Sequence, residues 1–596
     1  MTYVFGRRHA LKIWFCALLV VCLVLSGCSG KKEASGGLSQ MESLNGALSE
    51  QAAANAADQG FYRSSYEIFV YSFADSDGDG IGDLKGVESQ LGYIADEMGF
   101  SEIWLTPIFP SPTYHKYDAT DYTDIDPAFG SLADFDALLS ACHGKDVRLI
   151  LDLAVNHTSS QHPWFAAAAQ YLAALPAGAD PVYEDCPYVW YYNFTREPYG
   201  GCEPLKNAGL SDGAGGVLGA DSDWYYEARF WSGMPDLNLS TEAVREEIRS
   251  IASFWLGRGV DGFRLDALTS YYTDNAPASI DFTGWFTGVC KEIKSDAYLV
   301  GECWTDQSAY AKYYESGIDS LFDFAFSGDS GVIASVVKGS KDAQTFAEAC
   351  ASEEALYAAS NPNYVNAPFY TNHDMARSVG YYAYDDGSHT KLAGALNLFQ
   401  TGNSFVYYGE ELGMKGSGKD ENKRAPMFWV DASADAAIIS AGSSDSSERA
   451  DLSAILCAGP PDMGKVEHKF GSYAAQREDP ASIWNYYRNA VLIRNAFPVI
   501  ARGSTVPAAD ALLSTAKDSS SIGAFYRVSD EAGLQPVLIL FNTSEEVQTL
   551  NLSSDTTSAG YTTLSAMLVV SDEAVTLKGT SLTLPPFSLA VLTMSE

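Results

Sequence analysis

Eight short apolar runs separated by helix-patterned stretches constrain the fold of this chain more tightly than anything else in it. The runs cover residues 67–73, 102–108, 148–155, 261–267, 298–302, 320–326, 367–372 and 404–408. Apolar residues recur at helical spacing between several of them, over 132–142, 241–256 and 393–399. Strands alternating with helical crossovers predict an α/β fold, a parallel (β/α)8 TIM barrel. An open doubly wound sheet also alternates this way, but it wants a glycine-rich phosphate turn after its first strand, and none is present.

Three of the runs lead into an acid. Asp266 closes Val260-Asp261-Gly262-Phe263-Arg264-Leu265-Asp266, Glu302 closes Tyr298-Leu299-Val300-Gly301-Glu302, and Asp374 follows Ala367-Pro368-Phe369-Tyr370-Thr371-Asn372-His373. A buried strand has no structural use for a carboxylate at its tip. Three such ends point to one polar site at the mouth of the barrel, where the C-terminal ends of the strands meet.

The remaining residues divide around that barrel. Roughly a hundred residues separate the third and fourth runs, far beyond a usual crossover. Within them 158–231 is rich in Tyr, Trp, Gly and Pro, which predicts an inserted subdomain over the mouth. The barrel then occupies 61–157 and 232–500, ending in an amphipathic helix over 484–495. From about residue 501 short β-rich runs (522–527, 536–541, 547–552 and 589–593) predict a C-terminal antiparallel sandwich, 501–596. The stretch 432–464 is rich in Ala and Ser and carries no recognisable signal.

At the start, Arg7, Arg8 and Lys12 precede an apolar run too short to span a bilayer comfortably. Leu25-Ser26-Gly27-Cys28 closes it and resembles a bacterial lipobox. That resemblance implies a signal peptide over 1–27, lipidation of Cys28, and an extracytoplasmic protein anchored to a bacterial membrane. Residues 28–60, mostly Ser, Gly, Ala and Gln, read as a flexible tether. The formal charge of −38 becomes more negative once 1–27 are removed, because they hold three basic groups and no acid. Such a surface repels nucleic acid, so none is expected as a partner. Outside 1–28 the cysteines are Cys142, Cys186, Cys202, Cys290, Cys303, Cys350 and Cys457. Their odd number leaves at least one free thiol. Cys186 and Cys202 flank an irregular stretch and are candidates for a disulfide.

Five segments resemble the conserved regions of glycoside hydrolase family 13, the α-amylase family. They are Asp152-Leu153-Ala154-Val155-Asn156-His157, Met234-Pro235-Asp236-Leu237-Asn238, Gly262-Phe263-Arg264-Leu265-Asp266, Gly301-Glu302 and Asn372-His373-Asp374. Each is weak alone; five in family order at barrel-like intervals are specific. The resemblance covers about residues 62–596 and implies a monomer acting on α-glucans or maltooligosaccharides. It assigns Asp266 as nucleophile, Glu302 as acid/base and Asp374 as a grip on sugar hydroxyls. It also implies that His157 and His373 bond the same ring, that Arg264 and Asp118 bind substrate with them, that Tyr117 stacks on the ring, and that Asp152 and Asn156 are supports. The chemistry asks for these types: cleaving a glycosidic bond needs an acid for the leaving oxygen and an anion for the cation-like sugar carbon. Arg264 lies two residues before Asp266, so both point to one face and the guanidinium favours an ionised Asp266. Glu302 needs a raised pKa to keep its proton near neutrality.

Asp75-Ser76-Asp77-Gly78-Asp79-Gly80-Ile81-Gly82-Asp83 sets carboxylates on alternate residues. Hard oxygen donors at this spacing suit calcium, with Asp75, Asp77, Asp79, Asp83 and the Ile81 carbonyl as ligands. The twelfth position is Gly86, not the Glu of an EF-hand, and a strand rather than a helix is predicted ahead of it. The segment resembles the calcium loop of oligo-glucosidase-like family members, which implies a structural ion.

The residues leave the mode of cutting open. Tyr114 stands where exo-acting members carry an acid that closes the pocket, and this resembles endo-acting amylases. Arg424-Ala425-Pro426-Met427-Phe428-Trp429 resembles the oligo-glucosidases. Thr269-Ser270 replaces a Lys-His pair common after the nucleophile. Exo-glucosidase, oligo-1,6-glucosidase and transglycosylase activities stay as alternatives. A non-catalytic sugar-binding lipoprotein would explain the aromatic content of 13% but not the three acids.

Overall fold

A computed structural model describes residues 36–56, 59–431, 433, 444–513 and 519–595. Eight parallel strands form the centre: β1 (Ser64–Ile68), β2 (Glu102–Leu105), β3 (Arg148–Leu153), β4 (Gly262–Leu265), β5 (Tyr298–Gly301), β6 (Ser320–Asp323), β7 (Ala367–Pro368) and β8 (Ser404–Tyr407). Their order is β7-β6-β5-β4-β3-β2-β1-β8, and a parallel bridge from Phe369 to Phe405 closes the ring. Trp104, Ile150, Tyr298, Val300, Phe322, Phe405 and their neighbours fill its interior. Gly262 opens β4 because its backbone passes so close to β5 that a Cβ there would lie 1.8 Å from the Tyr298 carbonyl oxygen.

The strands agree with the apolar runs in number and order, with one informative shift. The first run was read as 67–73, but β1 ends at Ile68 and residues Val70–Ser72 turn in a 3-10 helix. Glu67 therefore stands near the C-terminal end of its strand, not at its start. The helices, among them Leu132–His143, Glu242–Arg258 and Ile483–Ala496, lie where their apolar spacing put them. Ser131 and Asp134 cap the first of these reciprocally.

Between β3 and β4 the chain forms the helix Pro163–Ala174 and a small antiparallel sheet of Phe194–Thr195, Tyr225–Glu227 and Cys202–Pro204. Cys186 and Cys202 are not joined; all seven described cysteines are free thiols, against the disulfide considered for that pair. After the barrel come a five-stranded and a four-stranded antiparallel sheet, with the buried strand Val537–Asn542 inside the first.

The expectation of a tether over 28–60 fails for the described part of it. Residues Gly37–Gly46 and Ser49–Ala56 are two helices laid on the folded body. Met41 is fully buried, and Asn45 Nδ2 donates to Asn489 Oδ1 at 3.0 Å and to the Met567 carbonyl at 2.8 Å. Gln51 and Asn55 donate their amides to the Asn495 and Ala496 carbonyls. Those carbonyls end the helix Ile483–Ala496 and have no partner within it. Polar side chains and the buried Met41, with Leu38, Leu44 and Leu48 packed on the same core, together dock these helices. Cys28 and the apolar run before it lie outside the described residues. No helix among the described residues is long and apolar enough to cross a membrane.

Candidate active site

Asp266 and Glu302 each follow the last residue of their strands, β4 and β5, which pair in parallel register with Leu265 opposite Gly301. Arg264, one turn of the pleat before Asp266 and fully buried, joins them: Nη1 donates to Asp266 Oδ1 at 2.6 Å and Nη2 lies 3.1 Å from Glu302 Oε2. Nη1 also donates to Asp152 Oδ1 at 2.8 Å, at the end of β3. Glu302 Oε2 accepts the Ala267 N–H at 3.1 Å. Ala267 pays for that donation with a left-handed backbone, φ +47° and ψ +50°, a conformation a non-glycine residue adopts only where its surroundings impose it.

The third acid is held from another direction. Arg424 Nη2 donates to Asp374 Oδ1 at 2.7 Å, Nη1 to Tyr114 Oη at 2.9 Å, and Nε to the His373 carbonyl at 3.2 Å. Lys423 Nζ donates to the Asp374 carbonyl at 2.8 Å. His373 is clamped between Glu67 Oε1 at 2.6 Å on Nδ1 and Tyr117 Oη at 2.7 Å on Nε2, with Asp374 Oδ2 3.3 Å away. Tyr117 Oη donates to Asp152 Oδ2 at 2.8 Å, which closes the network onto Arg264.

These contacts set the protonation states. Burial pushes Glu302 up to about 7; Arg264 opposes the rise, and the charges of Asp266 and Asp374 reinforce it. Burial also raises Asp266, so the stabilisation expected from Arg264 works against desolvation rather than alone. For Asp374 burial acts upward, but His373 and Arg424 outweigh it and hold the carboxyl well below the ordinary range. Burial alone would lower His373, yet Asp374 and Glu67 lift it to about 10. His157 is lowered to about 4 by burial and is neutral at pH 7. Its Nε2 donates to the Tyr117 carbonyl at 3.2 Å, which leaves the buried Nδ1 as an acceptor with no partner among the described residues.

A cleft of about 420 Å³ opens on this cluster, and Asp266, Glu302, Asp374, Tyr117 and His157 line it. Arg264 and His373 do not; both have no exposed surface and lie one layer beneath, although they were read as sugar contacts. Asp118 is turned away as well. It is buried and accepts Ser111 Oγ at 2.8 Å and Thr113 Oγ1, pinning the loop that presents Tyr117. Sequence reasoning missed three groups. Glu67 carried the same signal as the other acids, an acid near a strand end, but was hidden by the three-residue shift in β1. Arg424 stood in a quoted motif without a role. Phe230, Trp231 and Trp304, half-exposed rings on the cleft, had no signal beyond composition.

Elsewhere, Asp75, Asp77 and Asp83 bring carboxylate oxygens within 4.8 Å of one another. Asp79 is outside that set, and its Oδ1 accepts the Ile81 N–H at 2.7 Å. Asp75 accepts three backbone N–H groups, from Asp77, Gly78 and Gly80, which curl the loop around it. Part of the unassigned 432–464 stretch closes over the loop: Asp75 N–H donates to the Ile455 carbonyl and Ala458 N–H to the Gly80 carbonyl. Hard oxygens without a Lys or Arg ion pair among the described residues fit a calcium-type ion.

The alpha-amylase catalytic-domain model matches residues 67–503. The chain belongs to the α-amylase family. It is therefore a glycoside hydrolase with that family's barrel. It is 42% identical to Alpha-amylase 3 of Dictyoglomus thermophilum over 368 residues, 61% of this chain and 67% of the relative. It is 28% identical to an alpha-glucosidase of Apis mellifera, across 81% of this chain and 85% of that one. Among solved structures, Eubacterium rectale Amy13B is 43% identical with a TM-score of 0.80, covering 90% of this chain and 96% of that one. Relatives named for both activities thus align with this chain, Alpha-amylase 3 at the higher identity of these two.

Proposed function

We propose that this chain is a retaining α-amylase that cuts α-1,4-glucosidic bonds within starch, glycogen or maltodextrins. The observation that carries the reading is the sharing of one buried guanidinium by Asp266 and Glu302. Carboxyls bridged in this way are close neighbours, as the direct attack of a retaining enzyme demands at a separation of about 5–5.5 Å. In the first step Asp266 bonds to the anomeric carbon while Glu302 gives its proton to the departing glycosidic oxygen. In the second, water adds to that carbon, its proton passes to Glu302, and the bond to Asp266 breaks. Asp374, kept ionised by His373 and Arg424, accepts bonds from ring hydroxyls. His157 Nδ1 accepts another, and the Tyr117 ring, stacked on His373 at 5.3 Å, is the platform for the sugar face.

Internal cutting is favoured by the 42% identity to Alpha-amylase 3 and by Tyr114, bound to Arg424, at the position where exo-acting members carry a pocket-closing acid. Product analysis on maltodextrin with blocked non-reducing ends tests it. Rapid mid-chain cutting is expected; glucose released only from free ends would make the chain an exo-glucosidase.

Calcium held by Asp75, Asp77 and Asp83 belongs to the same reading, as a structural ion that fastens the 75–83 loop. So does a lipid on Cys28, supported by the lipobox alone. Its test is fractionation of a bacterial host: the full chain should follow the membrane, and Cys28→Ala should release it.

A further inference from the structure

Glu67 is a charged group at the barrel mouth that the proposed reaction does not use. It is 1% exposed, near the C-terminal end of β1, in register with Trp104 of β2 and Tyr407 of β8. Its Oε1 accepts His373 Nδ1 at 2.6 Å and the His373 N–H at 3.3 Å. A buried carboxylate is costly unless a positive charge meets it. Among the described residues Asp152 is paired with Arg264 and Asp374 with Arg424, whereas Glu67 makes its ion pair with His373 alone. A neutral imidazole could be held there by an amide oxygen at a far smaller desolvation penalty, so the acid points to a charged ring.

The hydrogen bonds around that ring fix its protons. Tyr117 has one hydroxyl hydrogen, and Oη donates it to Asp152 Oδ2 at 2.8 Å. At 2.7 Å from His373 Nε2 the same oxygen can then only accept, so Nε2 carries a proton. Asp374 Oδ2, 3.3 Å from Nε2, likewise only accepts. Nδ1 faces an oxygen that already accepts the backbone N–H, so it donates too. His373 is therefore an imidazolium. Burial alone would favour the neutral ring, yet Asp374 and Glu67 raise it to about 10. The other charges near it are Asp152 of β3, Arg264 of β4 and Arg424 after β8. His115, lowered to about 3 by burial, adds none at neutral pH, and Tyr407 faces Glu67.

We propose that Glu67 is a positioning residue for glycosidic cleavage: its charge keeps His373 doubly protonated, and that cation holds the Asp374 carboxylate and the Tyr117 hydroxyl where they meet the sugar. The inference rests on the glucan reading of the catalytic cleft. Bonds to ring hydroxyls strengthen as the sugar becomes cation-like, so a slackened Asp374 lowers kcat more than it raises KM.

Two variants of the full chain, assayed on maltotetraose, test it. Glu67→Gln keeps an oxygen for Nδ1 and removes the charge; Glu67→Asp keeps the charge. Glu67→Gln should lower kcat at pH 7 by about tenfold or more, with KM within about twofold. Losing one of its two flanking anions also brings His373 down into the alkaline limb. The unsubstituted chain should lose about tenfold in kcat/KM per pH unit above 7 as Glu302 deprotonates, and Glu67→Gln should approach about a hundredfold per unit as His373 deprotonates with it. Glu67→Asp should restore the single slope. A Glu67→Gln enzyme with the unsubstituted kcat and slope overturns the proposal. So does one that only melts at a lower temperature, because a merely structural carboxyl shifts Tm and leaves the slope alone. Nitrogen NMR of the histidine-labelled, unsubstituted chain at pH 8 needs neither a folded Glu67 variant nor cleavage. His373, identified by its loss in His373→Asn, should have both ring nitrogens protonated, and a neutral ring overturns the proposal. If the ring is charged but the chain cleaves no maltooligosaccharide, the glucan reading itself is what has failed.

Discussion

Two groups of carboxylates in this molecule answer the repulsion of crowded acids in opposite ways. At the barrel mouth Asp266, Glu302 and Asp374 meet cations built into the protein: Arg264 from the same strand as Asp266, Arg424 and His373 from loops beyond later strands. In the 75–83 loop the acids meet only backbone N–H groups and a serine hydroxyl, with no ion pair to a Lys or Arg among the described residues. The first cluster is balanced from within and spends its remaining polarity on a substrate. The second has its oxygens converged with no countercharge of its own, the arrangement a bound ion completes. Acids that must act are tuned by fixed neighbours; acids that must only hold can borrow their charge from solution.

Four measurements bear on that contrast. Asp266→Asn removes the attacking anion and should lower kcat on maltooligosaccharides by about 10^4-fold or more; a variant that keeps a tenth of wild-type activity sinks the assignment. Arg424→Ala frees Asp374 and Tyr114 without touching Asp266, and a misplaced grip of this kind should cost about 10²-fold in kcat/KM. An unchanged value would mean that Asp374 needs no countercharge. The pH profile is the third. Glu302 acts as an acid with a pKa raised to about 7, so its useful form is present below that value and lost above it. On the alkaline side kcat/KM should fall about tenfold per pH unit above 7; a flat profile to pH 9 would show that Glu302 is not the proton donor. The smallest effect belongs to the other cluster. Calcium at a hundred times its Kd should stabilise the fold by about 2.7 kcal/mol, read as a rise in Tm that a chelator reverses. Asp77→Asn should blunt that rise and leave turnover per folded molecule intact. A Tm indifferent to calcium would mean that the loop stands without an ion.

Where the fold was legible in the sequence, one physical rule stood behind it. Barrel strands are buried on both faces, so they appear as apolar runs whatever surrounds them. The acids at their tips stood out because nothing else explains a charge there. The same rule failed at Glu67, where the apolar run 67–73 merges a strand with the turn after it, and burial alone does not mark the boundary. It failed again at residues 36–56, where a few apolar side chains, Met41 foremost, bury alongside the hydrogen bonds of Asn45, Gln51 and Asn55, too few to mark helices in the sequence. Asp118 and His373 show a third limit: a motif names the residues near a site without saying which of them face the ligand and which brace the others.

Local chemistry determined the eight strands, the inserted segment, the terminal sheets and the three acids, because each is written in neighbouring residues. Tertiary structure alone decided that Arg264 is shared by Asp266 and Glu302, and that Arg424, fifty residues after Asp374, grips it. It alone decided that a helix near the start caps one near the end. Apart from Arg264 with Asp266, whose pairing the two-residue spacing already implied, those contacts join residues far apart in the chain, and their strength comes from burial, which exists only once the barrel has closed.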